Sequence, residues 1–108
     1  MWMIESRALF ELGSIYLTLD KLEEACYVLE KSCQIRKENK ALPAVVSCLE
    51  MLATISMEKN SFNEARDQLK EAIHICEKNG LKVKLSSVMR INARFEDCLL
   101  YTSDAADE

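Results

Sequence analysis

Glycine and proline are nearly missing from this chain: two glycines, Gly13 and Gly80, and one proline, Pro43, among 108 residues. Folds built from many short strands draw on both residues for their tight turns, so a sandwich or small barrel is excluded. A glycine-rich phosphate loop is excluded as well. Histidine occurs once, at His74, and the five cysteines (Cys26, Cys33, Cys48, Cys76 and Cys98) form no C-x-x-C pair. One histidine among scattered cysteines lacks metal-ligand spacing. The start, Met1-Trp2-Met3-Ile4-Glu5-Ser6-Arg7, lacks the basic and then apolar block of a secretion signal. With an odd cysteine count this argues against a disulfide framework. The thiols read as small apolar residues in a reducing cytoplasm, and a cytoplasmic location is expected.

Other absences narrow the function. There is no long run of Lys or Arg, so neither nucleic acid nor an anionic membrane is expected as a partner. The most apolar stretch, residues 41–57, is interrupted by Glu50 and is too short to favour a membrane span. A Cys–His nucleophile pair is conceivable only as Cys76 with His74, and residues two apart on a helix point to different faces. Glu23, Glu24, Glu30, Glu58, Glu64, Glu71 and Glu77 mostly lie near lysines at helical spacing, as on solvated faces. No catalytic constellation and no cofactor motif remains, so the chain is expected not to be an enzyme.

What is abundant is Ala, Leu, Glu and Lys, the good helix formers. The order of residues adds a period. Leu9-x-x-Leu12-Gly13-x-x-Tyr16 recurs forty positions later as Leu49-x-x-Leu52-Ala53-x-x-Ser56. At the same offset Leu22 meets Phe62, Ala25 meets Ala65, Leu29 meets Leu69, and Ser32 meets Ala72. Met89, Asn92, Ala93 and Phe95 open a third copy. The pattern predicts a first helix over about 3–18 and a second that starts from an Asp20-x-x-Glu23 capping box and ends near Glu38. Residues 39–42 link to a third helix with Pro43 in its first turn, ending at Asn60. Ser61-x-x-Glu64 opens a fourth helix, which stops at Asn79-Gly80. A fifth begins near Leu81. Leu22, Ala25, Leu29, Cys33 and Arg36 share one stripe of the second helix, as Leu69, Ala72, Ile73 and Cys76 do on the fourth. Leu85, Val88, Met89 and Phe95 of the fifth are expected to want a further partner.

A large apolar residue, Leu-Gly, Tyr, Ala, a bulky residue and a second small residue (Leu9, Leu12-Gly13, Tyr16, Ala25, Leu29 and Ser32) resemble the tetratricopeptide repeat pattern. The resemblance covers residues 6–97, with repeats at about 6–42 and 43–80 and a partial third at about 81–97. The period is longer than the usual 34 or so residues, and the tyrosine position carries Ser56 and Glu96 in the later copies. The resemblance implies an all-α fold of antiparallel helix pairs stacked as a right-handed α-solenoid. It also implies a protein- or peptide-binding scaffold whose first helices line a concave groove. The groove positions carried over are Arg7, Phe10, Ser14 and Leu17; Ser47, Glu50, Thr54 and Met57; and Ser87, Arg90, Arg94 and Asp97. The Lys and Asn that clamp a terminal carboxylate in some subfamilies have no match at Phe10, Ser14, Glu50 and Thr54. Repeats of this length also accompany kinase, phosphatase or DNA-binding domains in bacterial sensors, so a regulatory segment of a larger protein is the alternative expectation.

Residues 98–108, Cys-Leu-Leu-Tyr-Thr-Ser-Asp-Ala-Ala-Asp-Glu, resemble in one frame the translation of a transposon-based sequencing adapter. This implies that the natural segment ends at Asp97 and that the original protein is longer. Setting aside Asp104, Asp107 and Glu108 brings the remainder from a net charge of −4 to near neutrality.

Overall fold

The computed structural model describes the backbone of residues 1–106 and the side chains of residues 1–100. Asp107 and Glu108, the end of the adapter-like stretch, lie outside the described residues. Five helices follow in order: α1 (Trp2–Thr18), α2 (Leu22–Glu38), α3 (Leu42–Glu58), α4 (Phe62–Asn79) and α5 (Lys82–Ala106). No strand occurs among the described residues. Each helix packs on the next, giving an elongated all-α solenoid of antiparallel pairs.

The helices are cut at a strict interval. Asp20, Lys40, Asn60 and Gly80 all adopt left-handed backbone, with φ of 60°, 55°, 60° and 67°. The residue after each closes the old helix by bonding back five positions: Lys21 N–H to Tyr16 O, Ala41 to Arg36, Ser61 to Ser56 and Leu81 to Cys76, all at 2.8–2.9 Å. This is the Schellman closure. The carbonyl of that same residue then accepts the first bond of the following helix, from Ala25, Val45, Ala65 and Leu85 respectively. A linker of three residues or fewer is therefore enough.

This geometry corrects the two capping boxes. Asp20 lies one position too early; the N-cap of α2 is Lys21, which makes no side-chain cap bond. Ser61 does sit at the N-cap of α4, but its hydroxyl makes no cap bond either. The Schellman closure fixes these residues near φ −90° and ψ 71–75°, and the serine hydroxyl is left out of the helix end. Pro43 falls in the first turn of α3, as its spacing predicts.

Three of the four left-handed positions are not glycine, and an L-residue there costs about 1–2 kcal/mol, less for Asn or Asp. Glycine's own entropy cost, about 0.5–1 kcal/mol, offsets part of any relief. Lys40→Gly is therefore expected to stabilise the fold by about 0.5–1 kcal/mol. Asn60→Gly should change it little. Urea unfolding of the two variants checks this, and equal midpoint shifts would contradict it.

Small residues set the spacing within pairs. Gly13 is buried, and a Cβ there would stand 2.5 Å from Leu29 Cγ and 2.9 Å from its Cδ2. Ala25, Ala53, Ala65 and Ala72 are fully buried along the corresponding seams. Ser32 Oγ, also fully buried, donates to the Ser6 carbonyl at 2.7 Å across the first pair. In the second pair Ser56 takes the tyrosine position and bonds Gln68 of α4 at 2.9 Å. The core runs through the middle of the solenoid, where Val45, Val46, Cys48, Leu49, Leu52 and Ile55 of α3 meet α2 and α4. Lys37–Glu71 (2.7 Å) and Lys59–Glu23 (2.8 Å) tie the pairs together at the surface, each worth at most about 1 kcal/mol.

The fifth helix differs from expectation. Val88 and Phe95 are already buried, and the Phe95 ring lies 6.4 Å from that of Phe62 at the start of α4. Half of the apolar set is thus satisfied by the second pair. Leu85 and Met89 line an open cavity of about 450 Å³ with Lys82, Ser86, Arg90 and Ala93. Ala93, the counterpart of buried Gly13 and Ala53, is exposed. The helix crosses Asp97–Cys98 without a break, Leu99 packs on the core and Leu100 is exposed.

Gly13→Ala should destabilise the chain by about 1–2 kcal/mol. The group it meets is the branch point of a buried leucine, which costs about 1–3 kcal/mol to displace, against about 1 kcal/mol of helix propensity gained. Leu29→Ala should cost less in the Gly13→Ala background than alone. A double-mutant cycle by urea unfolding measures the coupling, and strict additivity would refute the close-approach reading.

Candidate partner-binding face

The odd-numbered helices make the inner side. Close backbone approaches join α1 to α3 and α3 to α5, whereas α2 and α4 have none. Flanked by both pairs, α3 buries most of its circumference. Besides Leu42 at its start, only a stripe through Pro43, Ser47, Glu50, Met51, Thr54, Met57 and Glu58, with Ala44 at its edge, reaches solvent.

The groove residues expected from sequence fall into four groups on this side. Arg7, Arg90, Arg94 and Asp97 are exposed; Arg7 Nε pairs with Glu11 at 3.3 Å on its own helix. Phe10, Leu17 and Met57 are half-buried and packed against the core. Ser14 and Thr54 are half-buried; the Thr54 hydroxyl is turned back onto the Glu50 carbonyl at 3.0 Å, and the Ser14 carbonyl accepts from Thr18 at 3.1 Å. The remaining three, Ser47, Glu50 and Ser87, are joined to one another. The Ser87 hydroxyl donates to Glu50 Oε2, Lys84 Nζ donates to Ser47 Oγ, and Lys84 lies 3.8 Å from Glu50 Oε1. This clasp ties α3 to α5 across that half of the face and leaves its members half-buried. Lys84 carries the clasp and is absent from the groove positions, because one turn of α5 separates it from Ser87.

The α1–α3 half is built differently. Arg36, from the last turn of α2, is 8% exposed. Its Nη1 donates to Ala44 O at 3.0 Å and to Cys48 Sγ at 3.2 Å. Its guanidinium lies 4.9 Å from the Phe10 ring centroid, a cation–π stack worth about 1–2 kcal/mol when desolvated. A helix-end reading of Arg36 as a mere complement to the dipole misses this. The available signal was its register: Arg36 sits on the apolar stripe of Leu22, Ala25, Leu29 and Cys33, where a charge is out of place. Arg36 lines an open cavity of about 490 Å³ with Trp2, Met3, Ile4, Ser6, Arg7, Ala41 and Ala44. Its counterpart forty residues on is Cys76, so the second pair has no such cation.

Two models of the tetratricopeptide repeat match, one over residues 6–39 and one over residues 45–79, together more than half of the chain. The chain belongs to the tetratricopeptide repeat family. The curated proteins gave no match. Tetratricopeptide repeats are in general protein–protein interaction modules and typically non-catalytic. None of the described helices is long and apolar enough to cross a membrane. Among the described residues no group of three His, Cys, Asp or Glu side chains is placed to hold a metal ion.

Three thiols of this tetratricopeptide array, Cys26, Cys33 and Cys76, are held neutral. Burial pushes Cys33 up to about 11, with nearby Cys48 adding to the effect. Burial and the 2.9 Å bond that Cys26 Sγ donates to Glu30 push Cys26 up to about 12. Burial also raises Cys76. The thiolate is the reactive form, so iodoacetamide at pH 8 should label exposed Cys98 well before Cys26, Cys33 and Cys76. Mass spectrometry of a time course reads this. The folded thiol values lie above the ordinary 9.0. The stability they contribute is complete below about pH 9 and is lost as pH rises towards 11. Lys37, raised by its bond to Glu71, acts in the same direction. Urea midpoints that stay flat from pH 8 to about 11 would refute the assignment.

Proposed function

We propose that the inner face of α1, α3 and α5 docks an extended or helical segment of another protein. The observation that carries this reading is the uncovered stripe of α3: a helix buried on most of its circumference leaves Ser47, Glu50, Thr54 and Met57 reachable. Family membership supports it, since interaction is the general role of these repeats. The face is mixed in character. Phe10, Leu17 and Met57 supply apolar contact, and Arg7, Arg90 and Arg94 supply positive charge around the two groove carboxylates, Glu50 and Asp97. Contacts of this kind fix orientation through the charged rim and affinity through the apolar centre.

Peptides selected from a displayed random library on the full chain test the reading. Phe10→Ala combined with Arg90→Glu should weaken the selected peptides by at least about tenfold, with far-ultraviolet circular dichroism unchanged. Affinity that stays the same for every selected peptide would place docking elsewhere on the molecule.

A further inference from the structure

Arg36 is a charge buried to more than nine-tenths, and no carboxylate pairs with it among the described residues. Taking a guanidinium out of water is costly unless it is paired. One carbonyl, one sulfur and one ring face answer only part of its capacity. Both protein hydrogen bonds leave from Nη1, so Nε and Nη2 have no protein acceptor. Among the described residues no buried side-chain nitrogen lacks a partner; those two nitrogens therefore touch solvent, and the open space Arg36 lines is the α1–α3 cavity. The Phe10 ring lies against the guanidinium, 4.9 Å from ring centroid to its carbon. Nε and Nη2 form one of the two-donor edges that match a carboxylate.

A second feature converges on the same place. The N-terminus of α3 has no side-chain cap and no acidic residue in its first turn. Its first intrahelical bond belongs to Val45, which leaves the N–H groups of Leu42 and Ala44 without a helical acceptor. Ala41 and Ala44 of this turn line the cavity with Arg36. An uncapped helix start favours an anion.

The walls decide which anion. Trp2, Met3, Ile4, Ala41 and Ala44 are apolar, Ser6 and Arg7 complete the lining, and of the two cations Arg36 is the buried one and Arg7 the exposed one. A chain-terminal carboxylate reaching Arg36 would press its own backbone amide against a mostly apolar lining, a poor place for an amide. A glutamate side chain presents methylenes to the walls and carries its carboxylate to the end. We infer that the α1–α3 cavity is an acidic-anchor site, which takes an internal glutamate of the docked segment onto the Nε–Nη2 edge of Arg36. This rests on the docking reading above and specifies its chemistry.

The test uses the same library-selected peptides, made synthetically with both ends blocked. Each is compared with its Glu→Gln version and with a version cut to end in a free carboxylate at that position. Enriched peptides should carry an internal Glu beside apolar residues, and Glu→Gln should weaken them by at least about tenfold. Arg36→Gln should cost the Glu peptides at least about tenfold and leave the Gln versions within about threefold. Ile4→Asp, at a wall position 70% exposed, leaves Arg36 in place and should weaken the Glu peptides alone. It keeps the test decisive if Arg36→Gln fails to fold. Enriched peptides without an acidic preference, a preference insensitive to these variants, or tighter binding of the free-carboxylate version would overturn the acidic anchor and leave the docking reading standing. A library that yields no binder would overturn both.

Discussion

Each of the first four helices is stopped by one left-handed residue, and the residue after it serves two helices at once. Its N–H satisfies a carbonyl of the helix that ends, and its carbonyl starts the helix that follows. Because Asp20, Lys40, Asn60 and Gly80 stand at equal intervals, α1 to α4 have nearly the same length and enter their turns at the same phase. The burial of Gly13 under Leu29, the row of fully buried alanines and the stacking of the pairs all require that phase. One added residue within a helix would rotate the remainder by about 100° and turn its apolar stripe away from the core.

On this frame the two halves of the inner face part company. Between α3 and α5 the polar side chains answer one another, with Glu50, Ser87, Lys84 and Ser47 forming a closed set. Between α1 and α3 the polar group is a single buried cation held from beneath by a ring and a carbonyl. The first arrangement is complete in itself; the second has donors left over. Such asymmetry between units of the same backbone follows from one aligned position, Arg36 against Cys76. Identical scaffolding thus carries different surface chemistry at each step.

Much of the fold was legible in the sequence because the apolar and small residues repeat at a fixed offset. Leu9, Gly13, Ala25 and Leu29 announce a close-packed pair, and their copies announce the next. The left-handed stop at Gly80 was readable because glycine favours it, whereas Asp20, Lys40 and Asn60 hold the same conformation without that mark. Their neighbours Glu23 and Ser61 imitate a capping box, and only the backbone bonds show that the Schellman closure took its place. The site was less legible for a related reason. Groove positions follow from helix phase, but whether a polar side chain faces a ligand or another side chain depends on a partner far along the chain, as Lys84 is to Ser47. Arg36 was visible as a charge in an apolar register, and its ring and carbonyl partners on two other helices were not.

The local closure of every junction also bears on how the chain assembles. Each stop-and-start unit is made by hydrogen bonds that span at most five residues, and most helix packing joins sequence neighbours. Little chain entropy is lost before such contacts form, which puts the molecule among rapid folders governed by nearest-neighbour terms. The central helix α3, packed on both sides, is the natural seat of the nucleus. The outer helices α1 and α5, each packed on one side, are where opening begins. Within these residues, the face that α1 and α5 share with α3 is therefore bounded by the two helices with the fewest packed neighbours, and its width depends on how firmly those two are held.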